Sequence, residues 1–434
     1  MSKDNIKRLL DWLDASPSCF QAVDTISREL ENAGFVRLNE EESWQLTPGG
    51  KYYTTKNSSA IAAFICGTAS PAEAGFRIIT SHSDSPCFKI KPNAEIIGDG
   101  GVVSLNVEKY GGGILYTWFD RPLSVAGRVM LRTADPFAPE ERLVDVKRPV
   151  ATIPHIAFHF NRAVNEGNPL SVQKDMKPVV GYFSDAELEE MKRHGGFVKS
   201  LIADELCVDH SDILDYELCL YPCEKAGIVG AAGEYFQSGR IDDLSMAFAS
   251  LEALLGMKDA VTECTRIMGV FDNEETGSGT KQGAHSPWFR SVMERIGAPG
   301  EELHRAVARS FMISADDAHA WHPNYNEKYD PTNHPVIGGG PVIKINANCK
   351  YMTDAQSAAV FRRLCEEAGV KCQSFVNHSD VAGGSTLGNI LTGQLPLRGV
   401  DMGCAIWAMH SARETAGVSD HLDTVKVFSR FYGA

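Results

Sequence analysis

Two adjacent glutamates, Glu274 and Glu275, sit in the stretch VFDNEETGSG, at the end of an apolar run and just before a glycine-rich bend. Side by side near a buried strand, two carboxylates repel, and without a cation one of them must hold a proton at a cost of several kcal/mol. A metal ion removes the conflict. One glutamate can then ligate while its neighbour stays unligated and takes a proton from water as general base. A solvated loop is the plainer reading of two acids.

Other apolar runs end in the same way. FRIITS runs into SHSDSP, giving His82 and Asp84; SFMISA runs into DDAHAWHPNY, giving Asp316, Asp317, His319 and His322; GVDMGCAIWAMHS delivers His410. SGRIDDLSM adds Asp242 and Asp243 at the start of a helical pattern. Histidines and carboxylates from separate strand ends, with one more aspartate to bridge, make the donor set that two zinc ions sharing a carboxylate require. Taken singly these residues have ordinary readings: an Asp at a helix start is usually a cap, and a lone His is more often a hydrogen-bonded polar group than a ligand. The His82-x-Asp84 pair carries more, because a ligating imidazole usually has its second nitrogen held by a carboxylate or carbonyl.

The elements that must position these groups follow from periodicity. Short apolar runs bounded by turn residues, at 60–66, 76–81, 266–271, 310–315 and 341–345, predict strands buried on both faces. Helical spacing predicts helices at 4–14, 19–33, 241–256, 286–296 and 353–368. The alternation implies an α/β fold, a mixed sheet with flanking helices, and in such sheets reactive side chains collect at the carboxyl ends of strands. Residues 92–235 read differently, rich in β-branched and aromatic residues and turns, with one short helical run near 184–193. The expected organisation is therefore a catalytic domain in two parts, 1–91 and 236–434, interrupted by a β-rich domain at 92–235.

Composition excludes several classes. With 56 acidic against 42 basic residues the chain lacks the broad basic surface that nucleic acid or anionic lipid would need. The N-terminus has no secretory h-region and no apolar run approaches the roughly 18 residues of a membrane span, so a cytoplasmic protein without membrane partners is expected. Eleven scattered cysteines suit a reducing compartment. Cys207, Cys219 and Cys223 read as ordinary buried thiols. EETGSGTKQG lacks the phosphate-loop pattern, and neither Ser278 nor Ser385 lies in G-x-S-x-G.

SHSDSP, YGGGILYTWFDRPL, GRIDDL, DNEETGS, SADDAHAWHPNY, GPVIK and AMHS, in this order along the whole chain, closely resemble the M18 metallo-aminopeptidases, the aspartyl aminopeptidase family. The resemblance implies a di-zinc exopeptidase that removes an N-terminal aspartate or glutamate from short peptides. It implies two zinc ions per subunit, with cobalt or manganese compatible with the same ligand types. By motif, His82, Asp316 and a bridging Asp242 would hold one ion, and Glu275, His410 and the same bridge the other. Asp84 would orient His82, and Glu274 would be the base that activates the bridging water. His319, Lys344 and Tyr351 would line the substrate pocket, Lys344 answering an acidic side chain. His159, with His155 as its competitor, would reach into a partner subunit's site. The family's assembly implies dimers formed through the β-rich domain, then a tetrahedral dodecamer with its sites facing an interior chamber. Two other readings stand beside this one: the same chemistry with neutral or broad specificity, and a self-assembling scaffold with an inactive site.

Overall fold

The computed structural model describes residues 3–297 and 299–434. The chain forms two compact units: the first comprises the chain up to Asp84, Ala226–Met409 and Glu414–Ala434, the second Ser85–Lys225 and His410–Arg413.

The first unit is built on a nine-stranded sheet: β1 (Val36–Arg37), β2 (Lys51–Lys56), β3 (Ala60–Ile65), β4 (Phe76–His82), β5 (Thr265–Phe271), β6 (Phe311–Ala315), β7 (Val342–Lys344), β8 (Gln373–Phe375) and β9 (Arg398–Gly403). Their spatial order is β1-β2-β3-β5-β4-β6-β9-β7-β8. The central β5, β4, β6 and β9 run parallel, while β3 and β7 run antiparallel to their neighbours on that block. Four carboxyl ends therefore open on the same edge.

Period-two alternation explains why such strands read as unbroken apolar runs. In β3, Ile61, Ala63 and Ile65 face one hydrophobic core and Ala60, Ala62 and Phe64 face another. The first core is closed by the helices Lys3–Ala15, Cys19–Asn32, Ile241–Gly256 and Val418–Tyr432, the second by Trp288–Arg295 and Glu301–Arg309. A smaller five-stranded sheet in this unit contains Ala318–His319, Ala405–Trp407 and Glu414–Gly417.

The second unit is a six-stranded antiparallel sheet whose two longest strands are Cys87–Ile97 and Ile213–Pro222. The sequence reading drew this insertion at 92–235. The unit begins at Ser85, because Cys87–Ile97 is one continuous strand, and ends at Lys225, because Gly227–Val229 and Tyr235–Ser238 pair within the small sheet of the first unit. It also contains a helix the sequence reading passed over, Phe197–Leu206. That segment, FVKSLIADEL, spreads its polar residues around the helix instead of gathering them on one face, and it follows Gly196 with no capping side chain, so both its periodicity and its start signal are weak. Of the three thiols expected to be buried, Cys219 is buried, Cys223 is partly so and Cys207 is exposed, at the left-handed end of that helix.

Candidate metal centre

The parallel register decides which residues meet. Phe271 pairs with His82 across β5 and β4, and Ser83 N–H donates to Phe271 O at 2.8 Å, so the two chains leave the sheet together. β6 lies on the other side of β4 and delivers Asp316 and Asp317. Helix Ile241–Gly256 starts with Asp242 and Asp243. Ligand atoms of His82, Asp242, Asp243 and Asp316 all lie within 4.8 Å of one another, and so do those of His82, Glu274 and Glu275. The carboxylates of Asp242 and Glu275 also approach within 4.8 Å.

His82 is buried, with Nδ1 2.9 Å from Asp84 O and Nε2 3.4 Å from Asp242 Oδ1. Donation from Nδ1–H to the Asp84 carbonyl leaves the lone pair on Nε2, toward the acids, the orientation a ligating imidazole takes. Asp84 thus orients His82 first through its backbone; its carboxylate stands 3.4 Å from Nδ1 and has another task. Asp84 Oδ1 accepts the N–H of Glu274 at 3.1 Å and Oδ2 that of Glu275 at 3.2 Å. The adjacent glutamates are held side by side because one buried carboxylate takes both of their N–H groups. Asn273, at φ 62°, sharpens the bend, its side-chain oxygen accepting from Thr280 and Gln282 at 2.8 Å each.

Burial sets the electrostatics. It raises the pKa of Asp243 well above the usual carboxylate range, His82 opposing and Asp316 and Asp317 adding to it. Burial pushes Glu274 up to about 8, with His82 opposing and the charges of Asp316, Asp84 and Asp242 reinforcing. For His82 burial favours the neutral ring, but Asp243, Asp242, Asp84 and Glu274 together hold its pKa well above the ordinary value. A cation is what this donor set favours most. Asp243 Oδ1, fully buried, has no hydrogen-bond partner. One imidazole nitrogen of fixed tautomer and several convergent carboxylates fit zinc, and equally cobalt or manganese.

Residues 12–432 match the family described as aminopeptidase I zinc metalloprotease (M18). A probable M18 family aminopeptidase 2 of Clostridium novyi is 46% identical over 437 residues, covering 99% of both chains. The chain belongs to the M18 aminopeptidase family. It is therefore a zinc metalloprotease of aminopeptidase type. Among solved M18-like structures, one of the Ape4 and Nbr1 complex superposes with a TM-score of 0.94 at 35% identity, covering 98% of this chain and 85% of that one. The S. cerevisiae mApe1 dodecamer superposes at 0.86 with 28% identity, covering 99% and 96%.

The remaining residues expected from the M18 resemblance are placed as follows. Lys344, the last residue of β7, is buried with Nζ 3.3 Å from Asp316 Oδ1 and 5.7 Å from the Tyr351 ring centroid. Burial favours the neutral amine, but Asp316, Tyr351, Asp401 and Asp242 together outweigh it and raise the pKa. His319 is exposed on its short strand, 5.8 Å from the Phe375 ring, and lines a cavity of about 450 Å³ with His322, Tyr325, His378 and Gly383. His410 belongs to the second unit, where its Nδ1 lies 3.2 Å from Gly112 O and its own carbonyl accepts Ile114 N–H, so the YGGG turn sets its ring. His159 lies in the same unit, in an exposed turn between Phe158 and Phe160. His155 packs edge-on against Phe119 at 4.5 Å, with Nδ1 2.8 Å from the Ile156 carbonyl. Of the two, His159 is the one turned outward.

Three supporting acids have no role assigned from the sequence, where Asp317 is only named at its strand end and Glu414 and Asp401 are not singled out. Asp317 accepts Ser245 Oγ–H at 2.9 Å and Cys404 N–H at 3.2 Å; Glu414 accepts Asp242 N–H at 3.1 Å; Asp401 accepts Met352 N–H at 2.6 Å and Thr386 Oγ1–H at 2.7 Å. A signal existed for Asp317. In both doublets, Asp242-Asp243 and Asp316-Asp317, the second acid accepts a backbone N–H, Asp243 from His82 at 3.0 Å, while the first faces His82 or Lys344.

Proposed function

We propose that this protein is a di-zinc aminopeptidase that removes an N-terminal Asp or Glu from short peptides, with Glu274 as its general base. His82, Asp316 and Asp242 would hold one ion; Glu275, His410 and the shared Asp242 the other, a division supported by the two groups of ligand atoms around His82 and by the approach of Asp242 to Glu275. When bound, the zinc ions supply a Lewis acid for the scissile carbonyl and lower the pKa of water. Glu274, held by Asp84 through its backbone and not needed as a ligand, takes the proton of the attacking water and returns it to the leaving amine. Carboxylates near the second ion also suit the α-amino group of the substrate, which restricts cleavage to the first residue.

The acidic preference rests on one observation: a buried lysine, Lys344, lies against the ligand set beside Tyr351. A buried ammonium can answer a substrate carboxylate by a charge-assisted hydrogen bond. One observation favours the broader specificity instead, since Lys344 already has an anionic partner in Asp316 at 3.3 Å. Lys344→Met separates the two. With fluorogenic Asp, Glu and Leu amides, acidic specificity predicts a loss in kcat/KM of roughly 10²-fold for Asp and Glu but under about tenfold for Leu. An equal loss for all three would assign Lys344 to Asp316 alone and favour the broad reading. The second unit is proposed to mediate dimerisation, with His159 reaching a neighbouring site and the dimers building a cytoplasmic dodecamer. The dodecamer of the S. cerevisiae relative supports this assembly.

A further inference from the structure

At the outer edge of the nine-stranded sheet, two cysteines face each other across a tight turn. Cys365 lies in the last turns of helix Ala355–Glu367 and is 1% exposed; Cys372 immediately precedes β8 and is half-buried. The turn between them is closed by Ala368 N–H to Leu364 O at 2.9 Å, Gly369 N–H to Glu366 O at 3.1 Å and Val370 N–H to Cys365 O at 2.9 Å. Gly369, at φ 68°, takes the left-handed conformation such a helix end requires. The turn brings the two thiols to the wall of one cavity, near enough for each to shift the other's ionisation.

A third group completes the arrangement. Arg362, one helical turn before Cys365, places Nη1 3.9 Å from Cys372 Sγ, while its Nη2 donates to Ser374 Oγ at 2.6 Å. The two cysteines and Arg362, with Gly339 and Gln373, line a cavity of about 470 Å³, large enough to admit a small oxidant. The neighbouring Cys365 thiol and the Arg362 guanidinium hold the Cys372 thiol below its usual range against the opposing effect of burial, and Cys365 is pushed up. A low-pKa thiol next to a cation, with a second thiol in the same cavity wall, is the pattern of a redox-active pair, not of two structural core cysteines.

We propose that Cys372 and Cys365 form a peroxide-oxidisable dithiol, with Cys372 as the attacking thiolate and Cys365 as the thiol that resolves it. The Cys372 thiolate attacks one oxygen of a hydroperoxide; the O–O bond breaks, the sulfur becomes a sulfenic acid, and the departing oxygen leaves as water or alcohol after taking a proton. The Cys365 sulfur then attacks the sulfenic sulfur, an S–S bond forms, and the hydroxyl leaves as water with the Cys365 proton. Two thiols are oxidised to one disulfide and one peroxide is reduced, so no further electron carrier is needed. Arg362 stabilises the thiolate. β8 pairs with β7 so that Gln373 lies opposite Val342 and Phe375 opposite Lys344, which puts the dithiol at the end of this pair away from Lys344. The inference therefore stands or falls independently of the peptidase reading.

The test uses the zinc-loaded protein and hydrogen peroxide. After brief treatment, alkylation in denaturant and tryptic digestion, mass spectrometry follows the peptides 364–371 and 372–398, which trypsin separates after Lys371. The expected result is a reductant-sensitive linkage between these two peptides. In Cys365→Ser the linkage should vanish and a sulfenic acid, trapped by dimedone, should accumulate on Cys372. Without peroxide, at pH 6.5, iodoacetamide should label Cys372 roughly tenfold faster than the exposed Cys207 and Cys349, and Arg362→Met should abolish that advantage. Unlinked peptides after peroxide, or a Cys372 that labels no faster than Cys207, would overturn the proposal even if Cys365→Ser failed to fold.

Discussion

The two ends of β5 treat buried charge in opposite ways. At its start, Arg266 is 1% exposed, and its guanidinium donates to Met257 O at 2.6 Å and to Ala260 O at 2.7 Å, neutral carbonyls that accept without adding charge. Beyond its other end, Glu274 joins Asp242, Asp243, Asp316 and Asp317 around His82, with Lys344 the lysine set against them. Hydrogen-bonded burial of one cation serves stability. Crowded carboxylates serve none, because each raises the proton affinity of the next. The strand thus carries a structural charge at one end and a ligand-binding cluster at the other, and each should respond differently to loss.

The largest effect is expected at the cluster. Glu274→Gln removes the proposed proton acceptor while keeping the N–H that Asp84 holds, so kcat should fall roughly 10³-fold with zinc content, by elemental analysis, unchanged. The folded protein should be no less stable, since a buried acid is replaced by a neutral isostere. Arg266→Met should do the reverse. Two carbonyls lose their donor, and about 2–3 kcal/mol of unfolding free energy should disappear in urea titrations while kcat per folded molecule stays within about twofold. The contrast breaks if Glu274→Gln also melts the protein, or if Arg266→Met abolishes turnover in material that is still folded.

Legibility from the sequence divides along the same line. Residues that end apolar runs, His82, Glu274, Glu275 and Asp316, could be found because a strand buried on both faces announces its carboxyl end by an abrupt change to polar residues. The helix Ile241–Gly256 and strands β3 to β6 could be read for the same reason. What could not be read is which oxygen meets which hydrogen. The pairing of Asp84 with the His82 ring is legible from the sequence, but its carboxylate also takes the two N–H groups of the glutamate pair, a contact across 190 and 191 residues that no local pattern encodes. Lys344 gave no hint that it would pair with Asp316, because β7 is only three residues long and its neighbours come from distant segments. The doublets Asp242-Asp243 and Asp316-Asp317 were visible as pairs, yet the division of labour within each depends on neighbouring strands.

A third buried ionisable group sharpens the comparison, because it belongs to neither end of β5. His421, in helix Val418–Tyr432, is 2% exposed, stacked on Phe248 at 6.0 Å and edge-on to Phe236 at 6.5 Å, with no partner at Nδ1. The neighbouring Asp420 turns its carboxylate to the N–H groups of Gly338 and Gly340. Burial lowers the pKa of His421 to about 4, against 6.5 for a free imidazole. The fold therefore refuses a proton that the unfolded chain accepts. Above about pH 6.5 this costs nothing; as pH falls from there toward 4 the unfolded state gains, and at pH 5 the loss should be about 2 kcal/mol. Acid also releases metal from the carboxylate cluster, so the total loss in the native protein exceeds this amount. His421→Phe isolates the difference: in metal-stripped protein its urea midpoint should be close to that of the native sequence at pH 8 and higher at pH 5. Equal responses to acidification in both proteins would mean that His421 takes up its proton without unfolding the core, because the metal-free cluster, whose buried acids have raised pKa values, should itself favour the folded state as pH falls.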